Sequence, residues 1–291
     1  MLGNKMINFN DLPAKDKIYY QDDATVVYCA DNREVLPLFP DKVFDLVLTD
    51  PPYGTTNCEW DIDIELPELW KILLRIVESD CALIFTGSQP FTTDLINSNR
   101  AIFRYEWIWE KSMPSNFALA NKQPMKYHEN ILVFYSQQPT YNKIMLERSD
   151  VGKERLRNNG SVLSGTKQSN HISTNICNNG ERRFYDPNLV NPKSVLHFGS
   201  EPNCNGTKLH PTQKPIELFE YLIQVYSNPT TIILDPFLGS GTTAVAAKIL
   251  GRKCVGIEIS EKYCEIAAKR LSQSVMQLEI PKEDVKTETM L

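Results

Sequence analysis

Residues 231–243 have the sequence Thr-Ile-Ile-Leu-Asp-Pro-Phe-Leu-Gly-Ser-Gly-Thr-Thr, and this stretch decides the fold. The apolar run that ends at Asp235 predicts a buried strand, and residues 242–250 predict a helix. Gly239 and Gly241 allow the backbone to turn sharply and to pass close to a ligand. In open α/β sheets, ligands bind outside the carboxyl ends of the strands. The turn therefore predicts both an α/β fold and a binding site.

The next predicted strand, residues 253–259, has an acidic end. Glu258 lies 19 residues after Gly239, where a carboxylate can accept hydrogen bonds from both ribose hydroxyls of a nucleoside. The loop continues Gly-Ser-Gly-Thr-Thr and lacks the third glycine of the dinucleotide fingerprint G-x-G-x-x-G. The pattern favours a nucleoside cofactor over a dinucleotide, and a plain tight turn is the structural alternative.

A second strand-ending loop comes about 180 residues earlier in the chain. Residues 43–50 have the sequence Val-Phe-Asp-Leu-Val-Leu-Thr-Asp, which predicts a buried strand. The strand stops at Pro51-Pro52, and Tyr53 follows. If both strands lie in one parallel sheet, the two loops face the same crevice.

The residue types of this second loop suit an exocyclic amine on an aromatic base. Such an amine is a poor nucleophile because its lone pair is delocalised into the ring, and a pair of acceptors favours a more tetrahedral nitrogen. The Asp50 carboxylate and the Pro51 carbonyl can form that pair, since proline has no competing N–H. Tyr53 can stack on the base. We therefore predict Asp50, Pro51, Pro52 and Tyr53 as catalytic residues; the alternative is a proline turn after an edge strand.

The remaining apolar patterns alternate between strand and helix. A helix that opens at Pro67 carries apolar residues at 3.6-residue spacing. Further predicted strands are residues 81–86, 103–111 and 130–135, and further predicted helices are residues 216–226 and 261–271. This alternation predicts a parallel or mixed sheet that is covered on both faces.

The segment from Ser136 to Asn205 differs in composition from the rest of the chain. It is rich in Asn, Ser, Gly and Arg, and it contains turn signals such as Asn158-Asn159-Gly160. From Gln138 to Lys208 there are ten Lys and Arg against six Asp and Glu, a net charge of +4 in a chain of −5. A basic segment on an acidic body can meet a polyanion through one face, and a solvated loop face is the alternative.

Composition narrows the class of protein. The chain has 291 residues, 42% of them hydrophobic, which is enough for one sizeable core with a smaller lobe. The seven cysteines show no C-x-x-C spacing and the four histidines are scattered, so neither a metal site nor a disulfide framework is predicted. No stretch reaches about 18 apolar residues, and the N-terminus lacks the apolar run of a signal peptide. We expect a protein of the reducing cytoplasm, without membrane or metal.

Together, the two loops resemble those of the S-adenosylmethionine-dependent amino-group DNA methyltransferases, which act on adenine N6 or cytosine N4. The tetrapeptide at Asp50 precedes the cofactor loop at Asp235, which is the motif order of the beta class. The resemblance covers residues 18–272 apart from the variable middle. Further matching segments are Cys29-Ala30-Asp31-Asn32, Phe85-Thr86-Gly87-Ser88 and His210-Pro211-Thr212-Gln213-Lys214-Pro215.

The resemblance implies an α/β, Rossmann-like methyltransferase fold, with a mostly parallel seven-stranded sheet, helices on both faces and a small variable target-recognition insertion. It implies S-adenosylmethionine as the cofactor and S-adenosylhomocysteine as its product. In the family, Asp31 would meet the adenine amino group of the cofactor, and residues 210–215 its methionine end. The cofactor-binding residues expected on this basis are Asp31, Thr212, Lys214, Asp235, Phe237, Gly239, Ser240, Gly241, Thr242 and Glu258.

The resemblance also implies double-stranded DNA as the substrate, with the target base flipped out because its amine cannot be reached in the stack. The domains expected are a catalytic half at 18–135, a target-recognition region at 136–205, a cofactor-binding half at 206–272 and a flexible tail at 273–291. Candidate contacts to phosphate or guanine are Lys153, Arg155, Arg157, Lys167, Arg182 and Arg183.

Several alternatives bear on the identity of the acceptor. In this family, Asp at the head of the tetrapeptide goes mostly with adenine, so Asp50 favours adenine N6, with cytosine N4 as the alternative. The motif order speaks against RNA and protein amine methyltransferases. More distant alternatives are a nicotinamide-dependent oxidoreductase and a non-catalytic DNA-binding protein of the same fold. We expect a bacterial or phage-encoded cytoplasmic enzyme. Homodimers occur in this class, but the sequence carries no interface signature.

Overall fold

The computed structural model of the protein describes residues 9–54, 64–158, 188–199 and 214–273. Its contacts divide the chain into two compact units. The larger unit contains residues 1–142 and 194–291, and the smaller unit contains residues 143–193. Both predicted loops belong to the larger unit.

Eleven strands lie in the part of the chain that the structure describes, and nine of them form the sheet of the larger unit. In chain order they are β1 (Ile18–Gln21), β2 (Thr25–Cys29), β3 (Phe44–Thr49), β4 (Val77–Gly87), β5 (Phe103–Glu110), β6 (His128–Phe134), β7 (Leu146–Glu147), β8 (Leu189–Val190), β9 (Val195–His197), β10 (Ile232–Asp235) and β11 (Lys253–Glu258). Strands β7 and β8 pair with each other in the smaller unit.

Seven α-helices lie in the same described residues. They are α1 (Asn32–Val35), α2 (Leu66–Ile76), α3 (Phe91–Ser98), α4 (Asp150–Asn158), α5 (Ile216–Tyr226), α6 (Thr242–Ile249) and α7 (Glu261–Gln273). Helix α2 begins one residue before Pro67, which tolerates the first turn because its missing N–H would have no partner there.

The strand directions bring many strand ends to one edge of the sheet. The order is β1-β2-β11-β10-β3-β4-β6-β5-β9. Strands β2, β11, β10, β3 and β4 are parallel neighbours, and β6 is antiparallel to both β4 and β5. Strand β5 therefore runs in the same direction as β4. The carboxyl ends of β2, β3, β4, β5, β10 and β11 consequently share one edge with the start of β6.

The α/β prediction is confirmed, but the number of strands is larger than the seven expected. The two strands at the ends of the order, β1 and β9, are short and lack an apolar run. Residues of β1 alternate between half-buried and exposed, and only the middle residue of β9 is buried. Edge strands of this kind need little apolar content because only one side of each is paired, so the sequence pattern does not predict them.

The central strands are buried on both faces. All four residues of β10 are buried, as are five of the six residues of β3. Such strands need a covering layer on each side of the sheet. Helix α6 packs on β10 and β11, α2 packs on β4, and α3 packs on β6. The indole of Trp70 in α2 lies 5.3 Å from the Phe85 ring and 5.0 Å from the Phe134 ring, measured between centroids, and so anchors that helix to the sheet.

The smaller unit contains the helix α4 and the strands β7 and β8, which pair as an antiparallel two-stranded sheet. Its limits, 143–193, are narrower than the predicted recognition region of 136–205. Residues 195–197 instead extend the sheet of the larger unit beside β5. Of the DNA-contact candidates, Lys153 pairs with Asp150 at 3.8 Å on α4.

Other predictions fall partly or wholly outside the described residues. The backbones of Arg155 and Arg157 lie in α4, whereas Lys167, Arg182 and Arg183 lie outside the described residues, as does nearly all of the expected tail at 273–291. Within the described ranges, no helix combines the length and the apolarity needed to cross a bilayer.

Candidate active site

Both predicted loops line a single cleft at the carboxyl edge of the larger unit's sheet. The cleft has a volume of about 670 Å³. Asp50, Pro51, Pro52 and Tyr53 border it after β3, and Phe237, Gly239, Ser240 and Thr242 border it after β10. Strands β3 and β10 are direct parallel neighbours, so their loops leave the sheet side by side despite their separation in sequence.

The Asp50 carboxylate is held by donors from three separate segments. Its Oδ1 accepts a hydrogen bond of 2.6 Å from the Tyr53 hydroxyl and a second one from the hydroxyl of Thr86 in β4. Its Oδ2 accepts a hydrogen bond of 2.6 Å from Lys214 Nζ. The side chain is 23% exposed, so the carboxylate is oriented by the protein and still accessible from the cleft.

Buried ionic groups continue from Asp50 into the protein. Lys214 Nζ lies 3.4 Å from Glu129 Oε2, and Lys111 Nζ lies 2.9 Å from Glu129 Oε1. Both lysine side chains are only 6% exposed. Burial alone would lower the pKa of Lys214, but the charges of Asp50 and Glu129 outweigh it and raise that pKa above its usual value. Burial would likewise raise the pKa of Glu129, but the two ammonium groups lower it.

Tyr53 is a neutral hydrogen-bond donor to Asp50. Its ring stacks on Phe91 with centroids 5.3 Å apart and planes inclined at 24°. Burial, and then the charge of Asp50, raise the pKa of the Tyr53 phenol well above 10. The hydroxyl therefore keeps its proton and can donate to Asp50, while the ring is backed by a second aromatic side chain.

Asp235 braces the glycine loop from within. Its Oδ1 accepts hydrogen bonds from the Thr49 hydroxyl at 2.6 Å and from the backbone N–H of Phe237 at 3.0 Å. Its Oδ2 accepts a hydrogen bond of 2.5 Å from the Thr243 hydroxyl. The residue is 2% exposed, and burial raises the pKa of its carboxyl to about 7, against the effect of the hydroxyl donors. The side chain ties β3, the loop and α6 together.

The two glycines of the loop have different surroundings. Gly239 has φ +54°, and a Cβ placed there would meet no atom within 4 Å. Gly241 has φ +85°, and a Cβ there would lie 2.8 Å from Ala267 Cβ and 3.2 Å from Ala267 Cα in α7. Gly239 thus borders open space in the cleft, whereas Gly241 permits a close approach between the loop and a helix.

Two further acidic residues face the cleft from neighbouring strand ends. Glu258 accepts backbone hydrogen bonds of 2.8 Å from Gly239 and from Ser260, and burial raises its pKa. Asp31 caps α1 by accepting from the backbone N–H of Arg33 at 2.9 Å, and its carboxylate also pairs with the Arg33 guanidinium at 2.5 Å. Both residues line the same cleft as Asp50.

Lys214, predicted at the cofactor's methionine end, forms its ion pairs with Asp50 and Glu129. Thr212, predicted with it, lies outside the described residues. The predicted site residues did not include Thr49, Thr86, Lys111 and Glu129, although the segment that contains Thr86 had been matched to the family. A usable signal was present for the last two, because a charged residue at the start or end of an apolar strand is rarely buried without a partner. No group of three or more metal-ligating side chains occurs in the described ranges.

The arrangement of the cleft agrees with the comparisons with known proteins. A family model described as DNA methylase matches residues 44–269, well over half of the chain. The chain belongs to the N6/N4 family of DNA methylases. Type II methyltransferase M.HinfI of Haemophilus influenzae is 40% identical over an alignment that covers 91% of this chain and 76% of M.HinfI. M.ScaI of Streptomyces caespitosus is 29% identical, with 91% and 87% covered.

Solved structures share the fold of this DNA methylase. The PvuII DNA methyltransferase, described as cytosine-N4-specific, has a TM-score of 0.60 and 19% identity, covering 87% of this chain and 88% of its own. The complex of M1.HpyAVI with SAM has a TM-score of 0.56 and 23% identity, covering 85% and 98%. These structures support the fold, while the family match and the relative M.HinfI show that the chain is a DNA methyltransferase, so the oxidoreductase alternative falls away.

The cleft of this N6/N4 DNA methylase has groups that suit S-adenosylmethionine, the cofactor of the family. The Glu258 carboxylate accepts backbone N–H groups from Gly239 and Ser260, one on each oxygen, which leaves acceptor capacity for hydroxyl groups. The side chains of Phe237, Ile257 and Ile259 supply apolar lining. The open space beside Gly239 allows a ligand to approach the backbone.

Proposed function

We propose that the protein methylates the exocyclic N6 of adenine in double-stranded DNA, at a base flipped out of the duplex. The observation that carries the proposal is the shared cleft, in which the Asp50 loop and the glycine loop face one another across neighbouring strands. Asp at the head of the tetrapeptide supports adenine as the acceptor. The proposal narrows the activity of the N6/N4 family to one base, adenine, and to one acceptor atom, N6.

In this proposal Asp50 and Pro51 act on the attacking amine. The Asp50 carboxylate and the Pro51 carbonyl accept hydrogen bonds from the two N–H groups, so the nitrogen lone pair is less delocalised into the ring. Pro52 fixes the turn, and Tyr53, backed by Phe91, packs against the base. Asp50 Oδ1 already accepts hydrogen bonds from Tyr53 and Thr86. The entering amine must therefore share this acceptor with the two hydroxyls or displace one of them.

The cofactor when bound supplies an electrophilic methyl group on a sulfonium, and methyl transfer converts it to S-adenosylhomocysteine. Glu258 would accept from the ribose hydroxyls and Asp31 from the adenine amino group, while Phe237 would pack against the adenine ring. Gly239, Ser240 and Thr242 would border it with their backbone, and Thr212 is included by resemblance alone. Lys214 would contribute on the side of the transferred methyl group, because it already pairs with Asp50. Asp235 and Gly241 would act by holding the loop in shape.

The basic region from 136 to 205 would supply the target-recognition contacts. Lys153, Arg155, Arg157, Lys167, Arg182 and Arg183 are the candidates for phosphate or guanine contacts. In keeping with its type II relatives, we infer a modification enzyme of a bacterial or phage-encoded restriction-modification system that works in the cytoplasm.

Cytosine N4 is the second candidate. The support for it is the fold shared with the PvuII enzyme, which is described as cytosine-N4-specific. Both amines are planar and conjugated, so the same acceptor pair can serve either one.

One experiment decides between the two bases and tests the enzyme as a whole. The full chain is expressed in a host without DNA methylation, and the host DNA is digested and analysed for modified nucleosides by mass spectrometry. Sequencing that detects modified bases then gives the target sequence. We expect N6-methyladenine with the wild type and none with Asp50→Ala. N4-methylcytosine would replace the adenine proposal, and no modified base from the soluble wild type would overturn the function.

A further inference from the structure

Residues 112–127, within the loop between β5 and β6, present several exposed apolar side chains. Phe117 is 75% exposed and Met113 is 68% exposed, and Leu119 and Met125 are exposed as well. Single exposed apolar residues are common on protein surfaces, but four within 13 residues of one loop indicate a contact surface. Phe117 has the largest exposed fraction among the large apolar residues described.

The β5–β6 loop is braced rather than loose. Its ends are joined by backbone hydrogen bonds from Lys111 to Tyr127 at 2.7 Å and from Ser115 to Lys126 at 3.2 Å. The Asn116 side chain donates to the Pro124 carbonyl at 3.1 Å and accepts from the Lys126 N–H at 2.5 Å. A short 3-10 turn, Phe117–Leu119, forms the tip. The loop is thus ordered before any partner binds, so binding costs it little further conformational entropy.

The position of the loop relates this ring to the catalytic cleft. Met113, Pro114 and Ser115 line the same cleft as Asp50. Phe117 follows Ser115 by two residues, so their Cα atoms lie at most about 7 Å apart. The Phe117 backbone therefore lies close to the rim of the cleft, into which the target base of the proposed function would have to pass.

The charge of the loop favours a polyanion as the partner. Residues 112–127 contain Lys122 and Lys126 and no acidic residue, in a chain whose net charge is −5. Lys122 is exposed, while Lys126 bonds to the Ser88 hydroxyl at the end of β4. A patch that combines a rigid aromatic tip with positive charge matches a nucleic acid, whose bases offer stacking surfaces and whose backbone offers phosphates.

We propose that Phe117 is the wedge that enters the DNA stack and fills the space left when the target base is flipped into the cleft. Proteins that deform DNA insert apolar side chains between base steps in this way, and the cost of unstacking is offset by the new contacts. The proposal rests on the proposed function, since it presumes a flipped base. Leu119 and Met125, which are exposed in the same loop, would exclude water from the opened stack.

The test compares Phe117→Ala, Phe117→Trp and Leu38→Ala on two synthetic duplexes that carry the target sequence. Leu38 is 54% exposed and does not line the cleft, so its variant controls for loss of an exposed apolar side chain. One duplex pairs the target base normally, and the other places it opposite an abasic site, where flipping needs no pair to be broken. Methyl transfer is measured with labelled S-adenosylmethionine.

Loss of the stacked ring should slow Phe117→Ala on the paired duplex by roughly 5- to 150-fold. On the abasic duplex the same variant should approach the wild-type rate, and Phe117→Trp and Leu38→Ala should approach it on both. Equal impairment of Phe117→Ala on both duplexes would overturn the wedge, as would a wild-type rate on the paired one. If gel filtration showed a dimeric wild type and a monomeric Phe117→Ala, a second copy of the chain would cover the loop, and the wedge would be overturned. A wild type inactive on both duplexes would refute the proposed function itself.

Discussion

The Asp50 carboxylate accepts hydrogen bonds from Tyr53, Thr86 and Lys214, which come from three different parts of the chain. A carboxylate held in this way has one orientation before the substrate arrives. Polar groups that are already oriented need little reorganisation during the reaction. At the scale of single residues, the site is thus defined by what surrounds the predicted tetrapeptide as much as by the tetrapeptide itself.

The first prediction concerns Asp50. Asp50→Ala removes one of the two acceptors proposed for the amine, so we expect methyl transfer to fall by roughly 10²-fold or more. The affinity for S-adenosylmethionine, measured by titration calorimetry, should change little because Lys214 keeps its pair with Glu129. Asp41→Ala is the matched control, since Asp41 is exposed and pairs with Arg75. Transfer at the normal rate by Asp50→Ala would refute the assigned role.

The second prediction concerns Glu129, which balances two buried ammonium groups. Glu129→Gln leaves Lys111 without its carboxylate partner, and breaking a buried pair from one side costs about 3–5 kcal/mol. We expect a loss of that order in the free energy of unfolding by urea. Lys111→Met combined with Glu129→Gln restores the charge balance and should recover much of the loss. A double variant as unstable as the sum of the single variants would contradict the electrostatic explanation.

At the scale of elements, the strand-to-helix turns were predictable because each is encoded locally. An apolar run, an acidic end and a proline or glycine turn lie within ten residues in both loops, and parallel packing brings the two loops together. The partners within the ionic group beside Asp50 were not predictable, since Lys111 follows β5, Glu129 is the second residue of β6 and Lys214 precedes α5. Only the strand order places these three residues together.

The glycine loop also shows where local rules fall short, and it gives the third prediction. Both glycines have positive φ, so alanine at either costs about 1–2 kcal/mol in backbone strain. Gly241→Ala adds a clash with Ala267, whereas Gly239→Ala meets open space. We expect Gly241→Ala to lower the free energy of unfolding further, by about 1–3 kcal/mol. Gly239→Ala should mainly lower the affinity for S-adenosylmethionine.

The paired variants separate the two roles in one experiment. Thermal unfolding without cofactor reports the packing of the loop on α7, and titration with S-adenosylmethionine reports the open side of the loop. If Gly239→Ala lost as much stability as Gly241→Ala and bound cofactor normally, the assignment of open space to Gly239 would be wrong.

At the scale of the whole molecule, buried and half-buried carboxyl groups make opposite contributions to the pH dependence of the free energy of unfolding. Interactions with lysine lower the pKa of Asp22 and Glu129, against the effect of burial, and these groups stabilise the protein more as pH rises. Burial raises the pKa of Asp45, Asp235 and Glu258, and these groups stabilise it more as pH falls. The measured pH dependence of the free energy of unfolding is the sum of these contributions. The contribution of one group is therefore obtained by comparing the wild type with a variant that lacks that group.

Asp235 offers the clearest such difference. Its pKa is raised from 3.8 to about 7 in the folded protein, so between these values the folded state binds more protons than the unfolded state. The stability that Asp235 contributes is fully present below about pH 4 and is lost as pH rises through 7. Asp235→Asn cannot titrate, and its amide can still accept from the Thr49 hydroxyl and the Phe237 N–H. The free energy of unfolding, measured by urea at several pH values, should therefore fall in the wild type relative to Asp235→Asn by as much as about 4 kcal/mol between pH 4 and pH 8. A constant difference in the free energy of unfolding between the two proteins across that range would mean that Asp235 has the same pKa in the folded and unfolded states. The hydrogen bonds from the Thr49 and Thr243 hydroxyls would then offset the effect of burial on that pKa beneath the glycine loop.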